Sequence, residues 1–348
     1  MSGPALPPPE GSDPALDDGV LTAGTLLEIN GFAAVQRHGG VAVLPWRAHH
    51  RSAQEQGIAC VARGDELAAG TFGQALVRLA KGRAATYSDL AAAWRALVPG
   101  GRLLVAGSND LGIGGWCRRL ARECGGPATV LANHSHARVA ALARPALLPA
   151  AWHAGEAGAP GVFHGGGLDP GSATLIAELG ALPPPRLVLD LGSGAGHLGL
   201  AALARWPQAQ AWFLDADARA LQALAAALAA STPELRARAQ CAWWDVAEPL
   251  PAPAFDCILC NPPAHAGTGN DLTTARAMFR LAAGALATEG RLLVVANRQL
   301  PYEADLARLG RLDCLAQVGG YKVLALSRCA KSLRGDPPRS DLPGAPSR

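Results

Sequence analysis

Asn261-Pro262-Pro263-Ala264-His265, which closes the apolar run from Phe255 to Cys260, is the segment of this chain best suited to chemistry. The exocyclic amine of a planar base has its lone pair delocalised into the ring. An enzyme that alkylates such a nitrogen needs acceptors that hold both N–H bonds while the nitrogen moves toward tetrahedral geometry. The Asn261 side-chain oxygen and the Pro262 carbonyl can act together in that way, and the pair Pro262-Pro263 stiffens the loop and removes competing N–H donors. His265 is available to relay a proton or to contact the base. Read alone, the same residues also fit an ordinary Asn-Pro turn closing a strand.

Upstream, Arg186 to Leu200 reads as a buried strand, a glycine turn and a helix, an arrangement in which backbone approaches a nucleotide-like ligand because no Cβ intervenes. Two cofactors fit it. Gly194-x-Gly196-x-x-Gly199, with Asp215 further on, satisfies the dinucleotide fingerprint. Asp190-x-Gly192-Ser193-Gly194-x-Gly196 equally has the form used for S-adenosylmethionine, with Asp190 serving the cationic methionine end and Asp215 the ribose hydroxyls. An Asn-Pro-Pro loop has no role in hydride transfer and an immediate one in methyl transfer, so the second reading is preferred. Asp245, after Trp243-Trp244, stands where an acceptor for the adenine amino group belongs, although an acid at a strand end also serves as a cap.

The elements that must position these residues are legible downstream of residue 186. Strands are expected at 187–191, 211–215, 239–244, 255–260 and 291–296, and helices from 197, at 217–230 and at 272–287, with a closing pair of strands at 312–317 and 321–327. Leu221, Leu224 and Leu228 form one apolar stripe and Ala275, Met278, Phe279, Ala282 and Leu286 another; Gly290 is expected to stop the second helix. Such alternation implies a parallel sheet covered on both faces, with ligands at the carboxyl ends of the strands. An echo lies in the first half. Leu97-Val98-Pro99-Gly100-Gly101-Arg102-Leu103-Leu104-Val105-Ala106 matches Leu286 to Val295 without a gap, which suggests two related α/β domains, and the first copy lacks both the glycine turn and the Asn-Pro-Pro loop.

With 348 residues, half of them apolar, the chain is long enough for two domains. The expected organisation is a disordered leader over 1–18, a degenerate domain over 19–150, a Gly- and Ala-rich linker over 151–160, a catalytic domain over 161–330 and a flexible basic tail over 331–348. No stretch approaches a membrane span. The 31 basic and 28 acidic side chains nearly balance, so an RNA partner would have to be held by local patches. Eight cysteines without a secretory signal point to a reducing, cytoplasmic compartment. Cys257 and Cys260 sit in an apolar strand whose alternation sends them to opposite faces, and the histidines lack partners at ligand spacing, so no metal is expected.

Taken together these motifs resemble the bacterial ribosomal RNA guanine-N2 methyltransferases of the small-subunit methyltransferase C and large-subunit methyltransferase G type. The likeness rests on Gly161-Val162-Phe163, Leu168-Asp169-Pro170-Gly171-Ser172, Asp190 to Gly196, Asn261 to His265 with Gly267, Val295-Ala296-Asn297, Leu300-Pro301-Tyr302 and Tyr321-Lys322-Val323. It implies two Rossmann-like methyltransferase domains with only the second active, S-adenosylmethionine as cofactor, and ribosomal RNA or a ribosomal particle as partner. It further implies Asn261, Pro262, Pro263 and His265 as catalytic residues, Asp190, Gly192, Ser193, Gly194, Gly196, Asp215, Asp245 and Asn261 around the cofactor, and Phe163, Ala264, His265, Tyr302 and Lys322 around the substrate. Two positions depart from the pattern. The family usually carries an aromatic after the second proline, where this chain has Ala264, and a small hydroxyl residue where it has His164. Base stacking on such a ring is worth about 1–3 kcal/mol. Phe163, Trp243, Trp244, Tyr302 and Tyr321 are candidates to replace it. Two alternatives remain: methylation of another planar amine (protein glutamine or DNA adenine), and an inactive RNA-binding or assembly protein that keeps the fold.

Overall fold

The computed structural model describes residues 13–16, 19–22, 24–157, 167–251, 254–263 and 269–328. Among them are two seven-stranded sheets with helices on both faces, as the alternation of elements requires. The first is built from β1 (Leu26–Ile29), α1 (Ala33–His38), β2 (Val41–Val43), α2 (Arg47–Glu55), β3 (Cys60–Val61), β4 (Phe72–Arg78), α3 (Arg83–Ala96), β5 (Leu97–Ser108), α4 (Ile113–Glu123), β6 (Thr129–His134), β7 (Ala137–Ala143) and α5 (Ala150–Ala157). The second comprises α6 (Pro170–Glu178), β8 (Leu187–Leu191), α7 (His197–Arg205), β9 (Gln210–Asp215), α8 (Ala218–Ala229), α9 (Pro233–Arg236), β10 (Ala239–Trp243), β11 (Phe255–Cys260), α10 (Gly269–Gly284), β12 (Leu286–Asn297), α11 (Glu303–Ala307), β13 (Arg311–Val318) and β14 (Tyr321–Ser327).

Their topologies are identical. The strand orders are β3-β2-β1-β4-β5-β7-β6 and β10-β9-β8-β11-β12-β14-β13, and only β7 and β14 run antiparallel to the others. Even the irregularity repeats: β4 shifts register against β5 between Phe72 and Gln74, and β11 against β12 between Phe255 and Cys257. Phe72 pairs with Leu97 and Phe255 with Leu286, so the echo read in the sequence marks one strand in both sheets. Cores line both faces of each sheet. Cys257 packs with Val188 and Leu259 on one face and Cys260 with Leu189 and Ile258 on the other, as their spacing predicted.

Three expectations are corrected. Residues 151–160 were read as a linker, but Ala150–Ala157 is a helix whose Trp152 is fully buried and donates Nε1–H to Glu123 Oε2 at 2.9 Å. Burying one large ring outweighed the Gly and Ala content that suggested a spacer. Gly290 does not stop a helix: α10 ends at Gly284 and Gly290 lies within β12, where a Cβ would come 2.6 Å from the Phe255 carbonyl. The leader is not wholly structureless, since Asp13 to Leu16 are buried against the first sheet and Asp13 pairs with Arg78. The remainder of the expected leader over 1–12, and the tail over 331–348, lie outside the described residues.

The two halves meet through equivalent loops. Trp46, after β2, bridges Asp217, after β9, and the flanking hydrogen bonds mirror each other: Arg47 N to Ala216 O at 2.8 Å and Ala218 N to Pro45 O at 2.8 Å. Strand register makes these loops counterparts, because Val43 pairs with Ile29 as Leu214 pairs with Leu191. The join is therefore pseudo-twofold.

Candidate active site

Four adjacent strands, in the order β10, β9, β8, β11, bring the predicted residues to one edge of the second sheet. Asp245 follows β10, Asp215 ends β9, the glycine turn follows β8 and Asn261 follows β11. Three interstrand steps of about 4.8 Å give a row about 14 Å long, which suits an elongated nucleoside.

The glycine turn is held from beneath. Gly192 N–H and Ser193 N–H both donate to the Leu214 carbonyl at 2.9 Å, and Gly196 N–H donates to the Ser193 carbonyl at 2.8 Å. Gly192, Gly194 and Gly196 have φ of 74°, 55° and 84°, which a side chain would strain. The space beside Gly194 is open, with no atom within 4 Å of where a Cβ would stand. Ser193 Oγ is buried without a hydrogen-bond partner. An open cradle edged by an orphaned hydroxyl fits a ligand with polar groups, S-adenosylmethionine among them.

Two carboxylates flank the turn. Asp190, only 1% exposed, accepts Gly199 N–H at 2.7 Å, and Asp215 accepts Gly194 N–H at 2.7 Å and Asp217 N–H at 2.8 Å. Burial pushes the Asp190 carboxyl up to about 8, opposed by the Gly199 hydrogen bond and reinforced by the Asp215 charge. Burial likewise raises Asp215 to about 6, opposed by backbone donors at Asp217, Gly194 and Ala216. A cation placed beside this pair would favour ionisation of both. Asp245 is half-buried; its Oδ1 accepts Ala247 N–H at 3.0 Å, capping a turn.

Asn261 is oriented from behind. Its Nδ2 donates to both Asp169 oxygens at 3.3 Å and to Ser172 Oγ at 3.1 Å. A carboxylate has no proton to give, so the amide nitrogen must face it and Oδ1 is turned the other way. Asp169 is itself fixed as the N-cap of α6, accepting Ser172 N–H at 3.0 Å, with Pro170 in the first turn. Sequence reasoning had passed over Asp169 and Ser172 as site residues; the available signal was the Asp-Pro-x-Ser cap.

Two predicted substrate contacts are not at this surface. Tyr302 is 1% exposed and packs edge-on to Phe279, with ring centres 5.0 Å apart. Lys322 is buried and its Nζ donates to the Arg298 and Leu300 carbonyls, at 3.2 and 2.6 Å, and to Glu303 at 2.6 Å, so it staples the loop after β12. Tyr302 is committed to packing and Lys322 to hydrogen bonds within the domain. Of the other rings, Trp244 is buried and Trp243 is engaged by the first domain, while Tyr321 borders the Asp169–Ser172 segment, about 3 Å from where a Gly171 Cβ would lie. Phe163, His164, Ala264 and His265 lie outside the described residues. Pro262 is buried and Pro263 half-buried. Among the described residues no group of three or more His, Cys, Asp or Glu side chains is arranged to hold a metal ion.

The first domain shows what the same edge becomes when the site is lost. By register Glu28 stands where Asp190 does, Arg78 where Asn261 does, and Leu44, fully buried, where Asp215 does. Arg78 pairs with Glu28 at 2.6 Å and Asp13 at 2.5 Å, filling the place of a ligand with protein charge. Burial opposes the Arg78 charge, but the two carboxylates hold it above its ordinary range.

The chain is similar to known methyltransferases. Residues 157–325 match the family model described as Methyltransferase small domain. Ribosomal RNA small subunit methyltransferase C of Pseudomonas entomophila is 35% identical over 170 residues, 49% of each chain, and that of Yersinia enterocolitica is 36% identical over 181 residues, 52% of this chain and 49% of the relative. The matched region thus spans about half the length of these curated relatives. A T. thermophilus 16S rRNA N2 G1207 methyltransferase, solved in complex with AdoMet and guanosine, is 28% identical with a TM-score of 0.74, covering 89% of this chain and 90% of that one. The second domain is similar to the small-subunit methyltransferase C proteins, and the whole chain to the T. thermophilus methyltransferase. The structural likeness takes in both sheets, since it extends through the first domain as well as the second.

Proposed function

We propose that this protein transfers a methyl group from S-adenosylmethionine to the exocyclic N2 amine of a guanosine in ribosomal RNA. The observation that carries the reading is the fixed orientation of Asn261, whose amide nitrogen is consumed by Asp169 and Ser172 while Oδ1 is turned away from them. S-adenosylmethionine supplies an activated methyl on a cationic sulfur. Asp190 takes the cationic methionine end, Asp215 the ribose hydroxyls and Asp245 the adenine amine. Asn261 Oδ1 and the Pro262 carbonyl accept the two protons of the guanine amine and aim its lone pair. No strong base is required, because the nitrogen becomes acidic as it is alkylated, and His265 is available to pass that proton on. Catalysis then rests on positioning and on excluding water from a neutral nucleophile beside a cation.

Several observations support the substrate class. The T. thermophilus protein was solved with guanosine and AdoMet, and the curated relatives are named for the small ribosomal subunit. The naming of those relatives for ribosomal RNA supports a cytoplasmic enzyme acting on ribosomal RNA or a ribosomal particle. No described helix is long and apolar enough to cross a membrane. A base within paired RNA would have to leave its stack, which is easiest in an open loop or an incompletely assembled particle. The two domains divide into a degenerate unit, which takes in Asp13–Leu16 and α5, and a catalytic one that follows it.

The test is tritiated methyl transfer to ribosomal RNA, protein and DNA from cells lacking this chain. Label confined to one guanosine is expected; label in protein or DNA, or cofactor binding without label, overturns the reading. Asn261→Ala should cut transfer by about a hundredfold or more while calorimetric cofactor affinity stays nearly unchanged. Equal loss of both would remove Asn261 from the assigned role.

A further inference from the structure

We propose that Arg47, from the domain without a catalytic centre, is a positioning residue for the cofactor site of the other domain, acting through Glu248 on the loop that carries Asp245. The inference rests on the assignment of Asp245 to the adenine end of S-adenosylmethionine. It goes beyond that assignment by making the site dependent on both domains.

The geometry is a relay. Arg47 Nε and Nη2 donate to the two oxygens of Glu248, both at 2.9 Å, a paired fork that fixes the carboxylate in direction as well as place. Arg51 Nη1 approaches Glu248 at 3.6 Å. Glu248 Oε1 then accepts Asp245 N–H at 3.1 Å, and Glu248 N–H donates to the Asp245 carbonyl at 2.8 Å, closing the turn from both sides. Trp243, two residues before Asp245, is gripped as well. Trp243 packs edge-on against His50, centres 4.8 Å apart, under the Arg47 guanidinium at 5.3 Å, and its Nε1–H donates to Ala216 O at 2.9 Å, the carbonyl that also receives Arg47 N–H. Every interdomain contact in this group comes from α2 or its first residue.

A docking contact alone would not need this arrangement. On the other side of the pseudo-twofold axis, the equivalent of Arg47 is Ala218, and the domains are joined instead by Gln222 Nε2 to Asp65 Oδ2 at 3.1 Å and by Arg219 to Asp89 at 3.7 Å. Among the described residues the fork that crosses between domains stands on the side of the second domain's site, whereas on the opposite side Arg219 forks Asp217 of its own domain and only approaches Asp89.

The experiment measures S-adenosylmethionine affinity by calorimetry, and kcat and KM for the cofactor, on the full chain. Arg47→Ala and Glu248→Ala should each weaken binding about tenfold and raise KM in proportion, with kcat at saturating cofactor within about twofold, and the double variant should be no worse than either single one. Arg47→Lys, which keeps charge but loses the fork, should fall between. Gln222→Ala, which breaks an interdomain bond on the opposite side, should leave affinity unchanged. Unaltered affinity in Arg47→Ala, or equal loss in Gln222→Ala, overturns the positioning role and leaves the cofactor assignment standing. If the unaltered protein binds no S-adenosylmethionine, the cofactor assignment itself fails and takes this one with it.

Discussion

At the scale of single residues, the site is governed by what each polar group has already given away before any ligand arrives. Asn261 has committed its two donors to α6, and Asp190 has accepted Gly199 N–H in a place with almost no water. The second commitment has a pH signature. A carboxyl whose folded value is raised to about 8 binds its proton more tightly folded than unfolded, so its stabilising contribution is complete below its ordinary range near 4 and is lost as pH rises through 8. The ligand-free protein should therefore melt at progressively lower temperature between pH 6 and 8, with a limiting slope of about 1.4 kcal/mol per pH unit from this group. Asp190→Asn, which cannot ionise, should flatten that dependence; an identical slope in the variant would count against it. The types Asn261 and Asp190 were legible from sequence because the chemistry demands them. The partner Asp169 was not, because it lies 92 positions away and no local pattern links a helix cap to a distant amide.

Among elements, the decisive fit is α7 against β9. Gly199 satisfies the dinucleotide fingerprint on paper, yet its requirement here is proximity: a Cβ would stand 2.3 Å from the Phe213 ring, which is fully buried. Gly199→Ala should cost about 1–3 kcal/mol by overpacking. Because α7 also delivers Gly199 N–H to Asp190, cofactor affinity should fall with it. Denaturant unfolding and calorimetry check the pair, and a stable variant with normal affinity would refute the argument. The strands and helices of the second domain were read closely from apolar periodicity. The errors fell where one tertiary contact overrode composition, as with Trp152 in the supposed linker and Gly290 beneath the Phe255 carbonyl. The first domain was visible only through its Leu97 to Ala106 echo, since the rest of its motif had been replaced.

Across the whole molecule, the two halves show one topology with opposite histories. The second keeps an open cradle, and the first has closed its own with Glu28, Arg78 and Asp13. Removing only the cation would leave two buried carboxylates facing each other, so Arg78→Ala should destabilise the first domain by about 3–5 kcal/mol. Replacing Glu28 and Arg78 together by Gln and Met should recover much of that loss. Chemical unfolding of the three proteins tests it; a harmless Arg78→Ala would mean that the triad carries no weight. The join between the halves has a different consequence. Trp46 and Asp217 meet through the same loop of each domain, so the contact is self-complementary, and self-complementary contacts close after two bodies. A tandem duplication that folds this way carries its own dimer inside one chain, with both copies of that surface occupied and neither left to recruit a third.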